Sequence, residues 1–336
     1  MNILIVGALD PFDNYKEKEL CKAISAHYRE TGHKTDICYL PFKTDFHDIH
    51  RQMLAYRLLT VFPASDLLIT VGYPAFAVHH PNKFAFLFEL LPEFHTQYNT
   101  EYGYKPLYYR ADKDQRYLNS ILEMEKVCLQ ETKGVYAASD SLRNTLQPFG
   151  CAAERFSFAA PLSNDDATEC CHNAVLIESY LEPMDRLDIL LDAMTMLKGE
   201  HNLQIYVPTA DAFYLKAVQE RIGRLQLDDT VTVIEGRISH NDVKNCRGVV
   251  CLRRSSGYIP FYMAHAYAMG VPSVVCADGG ALCELEPKFQ HHFTSQPTPQ
   301  ALAVSLKKIF NGSNDYSDAP CILPNDISHI LERLVK

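Results

Sequence analysis

The 336 residues contain no tryptophan, so any aromatic face that stacks on a sugar or a base must come from the 19 tyrosines and 17 phenylalanines. Basic excess is also missing. Lys and Arg number 32 against 41 Asp and Glu, for a net charge of −9. A protein that works by gripping nucleic acid is usually basic, so extended nucleic-acid binding is not expected. There is no run of about 18 apolar residues of the kind a membrane-spanning helix needs. The opening MNILIVGALDPF has no basic flank and too short an apolar stretch for a signal segment. The 11 cysteines form no CxxC pair, which removes zinc-ribbon and thioredoxin-like readings. Scattered thiols of this kind are expected to stay reduced in a cytoplasmic protein. Short-period repeats and low-complexity tracts are absent as well.

What remains is a globular composition, 47% hydrophobic and 22% charged, with length for two domains. The segment 2–7 is almost wholly apolar, as a strand buried on both faces of a parallel sheet reads. A helix follows over 15–31, with Leu20, Ile24 and Tyr28 four apart. Further strands are expected at 35–40, 66–72, 83–88 and 134–138, with a helix at 47–60. The pattern then restarts. Strands at 173–177, 203–207, 231–234, 248–252 and 273–276 alternate with helices at 188–197, 213–225 and 261–269, and helices at 299–310 and 327–335 close the chain. Strands alternating with helices imply βαβ units and parallel sheets. The Pro/Ser/Asn/Asp-rich stretch near 160–168 suits a linker. The expected division is 1–163, 164–320, and a C-terminal helix within 321–336 that packs back on the first domain. The expected fold is α/β, two Rossmann-like doubly wound domains facing a central cleft, where ligands meet the carboxyl ends of the strands.

Several segments, in order, resemble the retaining glycosyltransferases of family 4, whose fold is GT-B. These are DLLITVGYPAFAVHHPNK (66–83), VYAASDSL (135–142), YLEPMDRLDILLDAM (180–194), VTVIEGRISHND (231–242) and AHAYAMGVPSVV (264–275) with ADGG (277–280). The resemblance implies transfer of a hexosyl or pentosyl group from a nucleotide-activated donor, with no required cofactor or metal. It also implies that an Arg and a Lys in the 180–194 element and two Glu before GVP hold the donor. Here Tyr180, Asp185, Gly257 and His265 stand at those positions, and no acidic residue occurs between Arg253 and Pro272.

The candidate residues follow. Arg253, Arg254, Ser255 and Ser256 come after the 248–252 strand and offer two guanidiniums and two hydroxyls as a phosphate cradle; a solvated turn is the plainer reading. Arg186 survives one step past the Lys position. His265 reads as a ribose or phosphate contact or as a packed core histidine. Gly279 and Gly280 offer backbone amides to a donor, and Glu284 is one residue beyond the related loop's carboxylate. In the first half, Gly7 lets a diphosphate or acceptor approach the backbone, or makes an ordinary turn. Glu89, at a strand's carboxyl end, and His95 are the acceptor-side candidates, Glu89 with Arg253 and Arg254 forming the catalytic set. His79 and His80 have no further ligand at metal spacing, so no metal is expected. Tyr98, Tyr102, Tyr104, Tyr108 and Tyr109 suit an acceptor loop, a protein partner or plain packing. The acceptor is open among glycan, lipid-linked, small-molecule and nucleobase classes, at a cytoplasmic site or peripheral to a membrane. Loss of the motif charges raises a second reading, a non-catalytic GT-B subunit or scaffold.

Overall fold

The computed structural model describes residues 1–9, 15–59, 65–95, 100, 111–163, 174–197, 201–208, 212–254, 258–279, 294–312 and 326–335. The chain divides into two compact units, Met1–Ala160 with Pro324–Lys336, and Pro161–Leu323.

The first unit holds β1 (Asn2–Leu9), α1 (Tyr15–Glu30), β2 (Lys34–Pro41), α2 (Phe46–Arg57), β3 (Leu67–Val71) and β4 (Lys83–Leu87). After these come α3 (Ala111–Gln130), β5 (Gly134–Ala137), α4 (Asp140–Leu146) and β6 (Ala153–Arg155). Its sheet has the order β2-β1-β3-β4-β5-β6, and every pairing is parallel. The order turns back on itself at β1, which lies between β2 and β3. β3 is buried along its whole length, as a central parallel strand must be. Ser139 starts α4 by accepting the Leu142 amide at 3.0 Å.

The second unit holds β7 (Ala174–Glu178), α5 (Leu187–Met196), β8 (Asn202–Val207), α6 (Ala212–Arg224), β9 (Val231–Glu235) and α7 (His240–Asn245). It continues with β10 (Gly248–Cys251), α8 (Phe261–Ala268), β11 (Ser273–Cys276), β12 (Thr294–Ser295) and α9 (Pro299–Phe310). The strand order is β12-β11-β10-β7-β8-β9, again all parallel. This is the doubly wound order in which the first two βαβ halves diverge between β7 and β10. Alternation along the strands fills both faces. Val175 and Ile177 of β7 join Val250 and Leu252 in one core, while Ala174 and Leu176 join Val249 and Cys251 in the other.

A final helix, α10 (Ile327–Leu334), belongs to the first unit. It buries Ile327, Ile330, Leu331 and Leu334, and the Tyr28 hydroxyl of α1 donates to the Leu331 carbonyl at 2.9 Å. The Ser157 amide donates to Asp326 at 2.9 Å, tying the start of this helix to the end of the first unit's main segment.

Candidate functional site

The carboxyl edge of the second sheet gathers charge where β7 and β10 diverge. The turn after β7 is built on Asp185. This buried carboxylate accepts the Ser179 hydroxyl at 2.8 Å, the Tyr180 amide at 2.8 Å and the Glu182 amide at 3.3 Å. The Glu182 side chain in turn caps the Asp185 amide, so the turn is closed reciprocally. Its backbone is strained at two places, since Leu181 (φ 61) and Arg186 (φ 54) are left-handed without being glycine. Such conformations cost about 1–3 kcal/mol each and persist only where surrounding contacts hold them.

Arg253, from the segment after β10, donates to Asp185 at 2.7 Å and pairs with Glu182 at 2.7 Å. Its guanidinium carbon lies 5.8 Å from the Tyr180 ring centroid. Arg186 is only 3% exposed and donates both terminal nitrogens to Asp278, at 2.6 and 2.7 Å. That bidentate pair holds the Asp278 carboxyl below the usual carboxylate range. Arg254 lies 3.9 Å from the same carboxylate, and its amide donates to the Met184 carbonyl at 3.2 Å. Gly279 is needed for close approach, because a Cβ there would stand 3.2 Å from the Cys276 carbonyl oxygen and 3.3 Å from that of Arg253. His265 sits on α8 edge-to-face with His240, ring centroids 6.2 Å apart.

Sequence reasoning passed over one member of this group and missed the role of another. Arg237, just beyond β9, donates to Glu178 at 2.8 Å and to the Tyr180 hydroxyl at 3.2 Å, with its guanidinium carbon 5.9 Å from the Tyr180 ring. The ring therefore has two cations beside it. Nothing in the local sequence GRIS marks Arg237; only the return of its side chain toward β7 does. Asp185 was legible as a reversal of expected charge, but its role in anchoring Arg253 needed the fold.

On the first unit, Gly7 lies inside β1 rather than after it, opposite Tyr39 and Val71. Its missing side chain makes room for Cys21 and Tyr39, whose nearest atoms would each stand 3.0 Å from a Cβ. The expected loop at 8–9 is thus two further residues of strand. Glu89 follows β4 and pairs with Lys16 of α1. Its other oxygen, Oε2, is buried with no hydrogen-bond partner among the described residues. His95 is 7% exposed and faces the fully buried Glu125 of α3 at 2.9 Å. His80 bonds to Ser65 and Asn82, and among the described residues no group of three or more His, Cys, Asp or Glu is placed to hold a metal. No helix among them is long and apolar enough to cross a membrane. Ser255, Ser256, Gly257, Gly280, Glu284 and the five tyrosines between 98 and 109 lie outside the described residues.

No protein-family profile matches the chain, and no curated protein matches its sequence. Solved structures do. Anabaena HepE, solved with UDP-glucose, aligns at a TM-score of 0.65 and 14% identity over 99% of this chain and 98% of its own. A glycosyltransferase from Rickettsia africae aligns at 0.62 and 13% identity, over 99% and 93%. WaaG, a glycosyltransferase involved in lipopolysaccharide biosynthesis, aligns at 0.62 and 10% identity, over 97% and 99%. The chain shares the α/β fold of the GT-B glycosyltransferases. That likeness spans both units and nearly the full length of each neighbour, so the fold expectation for the two α/β halves is met. At these identities it speaks for fold, and function rests on the site.

Proposed function

We propose that the chain is a glycosyltransferase that moves a hexosyl or pentosyl group from a nucleotide-activated donor to a hydroxyl-bearing acceptor. The observation that carries this reading is the convergence of Arg186, Arg253 and Arg254 at the carboxyl edge where β7 and β10 diverge; the Gly279 amide, expected to face the donor, donates instead to the Cys276 carbonyl at 3.0 Å. Doubly wound sheets bind their ligands at such an edge. The leaving diphosphate would be stabilised by guanidiniums already in place, which is how a preorganised site lowers the barrier to charge separation. Anabaena HepE, with its UDP-glucose, supplies the analogy for the donor class. On this reading the second unit takes the donor, with Ser255, Ser256, Gly280, His265 and Glu284 nearby in sequence. The first unit takes the acceptor at Glu89, whose buried Oε2 meets no donor among the described residues. A family 4 relationship, retention of configuration, metal independence and work in the cytoplasm or at a membrane surface complete the proposal.

The test is calorimetric titration of the full chain with nucleotide sugars, beginning with UDP-glucose. Arg253→Ala with Arg254→Ala is expected to weaken the binding of whichever donor the wild type takes by at least a hundredfold, while far-ultraviolet dichroism stays unchanged. Unaltered affinity sinks the assignment.

One observation favours the second reading, a non-catalytic subunit or scaffold. Arg186, Arg237 and Arg253 each face a carboxylate of the chain itself, so much of the positive charge at the edge is already compensated. A native protein that binds no nucleotide and copurifies stoichiometrically with an active glycosyltransferase would decide for it.

A further inference from the structure

Arg237 pairs with residues of a strand that is not the sheet neighbour of the strand before it. β9 is separated from β7 by β8, and neighbouring strands lie about 4.8 Å apart. Arg237 stands two residues past the end of β9, and its side chain meets Glu178 at the end of β7 and Tyr180 just beyond it. It arrives beside the ring that Arg253 also approaches, the two guanidinium carbons being 5.9 and 5.8 Å from its centroid. Like charges brought together repel. Here the electron-rich ring face and the carboxylates of Glu178, Glu182 and Asp185 offset that repulsion. Both side chains keep contact with solvent, Arg237 at 28% and Arg253 at 18% exposure.

We propose that Arg237 is a second anion-binding cation, held with Arg253 beside Tyr180, and that the pair receives the diphosphate of a nucleoside diphosphate. This rests on the donor reading above and adds a residue to it. Tyr180 is then a positioning residue, its ring gathering two forks and its hydroxyl accepting from one. Glu178 is the resident counter-ion that an incoming phosphate competes with. Guanidinium forks match phosphate oxygens better than a single ammonium does, so a site built on two of them favours a planar, multidentate grip.

The alternative is that Arg237 and Glu178 are simply an ion pair. Two substitutions separate these accounts, because each removes the same pair but changes the local charge in opposite directions. Full-length wild type, Arg237→Gln, Glu178→Gln and Arg253→Ala are titrated with UDP, ADP and GDP by calorimetry at one ionic strength. The expected result is at least a tenfold loss of affinity in Arg237→Gln and a gain of about threefold or more in Glu178→Gln. Tyr180→Phe, which keeps the ring and removes the hydroxyl, is expected to lose only a few-fold. Equal changes of the same sign in Arg237→Gln and Glu178→Gln overturn the inference. So does unchanged affinity in Arg237→Gln beside lost affinity in Arg253→Ala, an outcome that leaves the donor reading standing. A wild type that binds none of the three nucleotides overturns both. Should Arg237→Gln fail to fold, Glu178→Gln alone decides: tighter binding supports the assignment, weaker or equal binding contradicts it.

Discussion

Lys83 shows how a residue's surroundings override its ordinary chemistry. It is fully buried, and its ammonium donates to the carbonyls of Phe76, Val78 and Cys128 at 2.6, 3.0 and 3.2 Å. Burial pushes its pKa down from 10.5 to about 8. The unfolded chain therefore binds more protons than the folded one between about pH 8 and 10.5, and stability from this group rises with pH across that window. Urea unfolding at pH 7.5 and 9.5 checks this. Wild type is expected to gain roughly 1–2 kcal/mol on Lys83→Met between the two pH values; a constant difference contradicts it. The HPNK segment marked Lys83 only by resemblance, and its burial was not legible, because a lysine at the start of a strand reads as a surface group. Arg253 was legible by its place after a strand. Its commitment to Asp185 was not, since the partners are 68 residues apart.

At the scale of elements, apolar runs and their alternation carried most of the fold. Strands buried on both faces, such as β3 and β7, announce themselves by composition. The units β6, with the sequence AER, and β12, with two residues, are too short and polar for any pattern. The 20-residue α3 was missed for another reason. Leu118, Ile121 and Leu129 do recur at helical spacing and are buried, but polar residues between them dilute the signal behind a tyrosine-rich stretch. Glycine within an element also had a meaning that only packing reveals. Gly248 begins β10, where a Cβ would meet Ile309 of α9 at 2.8 Å and the Pro272 carbonyl oxygen at 2.9 Å. Gly248→Ala is expected to destabilise the second unit by about 1–3 kcal/mol. Thermal denaturation should show a fall of several degrees. No fall would mean that the α9–β10 contact is looser than described.

For the whole molecule, length and the alternation of apolar strands with helices pointed to two α/β halves. Those halves are now seen as two parallel six-stranded sheets of different strand order. What the sequence left open was whether the altered donor motif had lost its cations or moved them. Asp185, at a position where the resemblance implies a lysine, accepts from Arg253 of the segment after β10 at 2.7 Å, which puts a guanidinium at that edge. The account therefore turns on whether that edge still releases a nucleotide from a sugar donor. The measurement is a donor-screened turnover assay on the intact chain, following release of nucleoside diphosphate from UDP-, GDP- and ADP-linked sugars. The account predicts release from at least one donor, abolished by Arg253→Ala with Arg254→Ala. Absence of turnover with every donor, together with no rise in melting temperature on adding any of them, would contradict it.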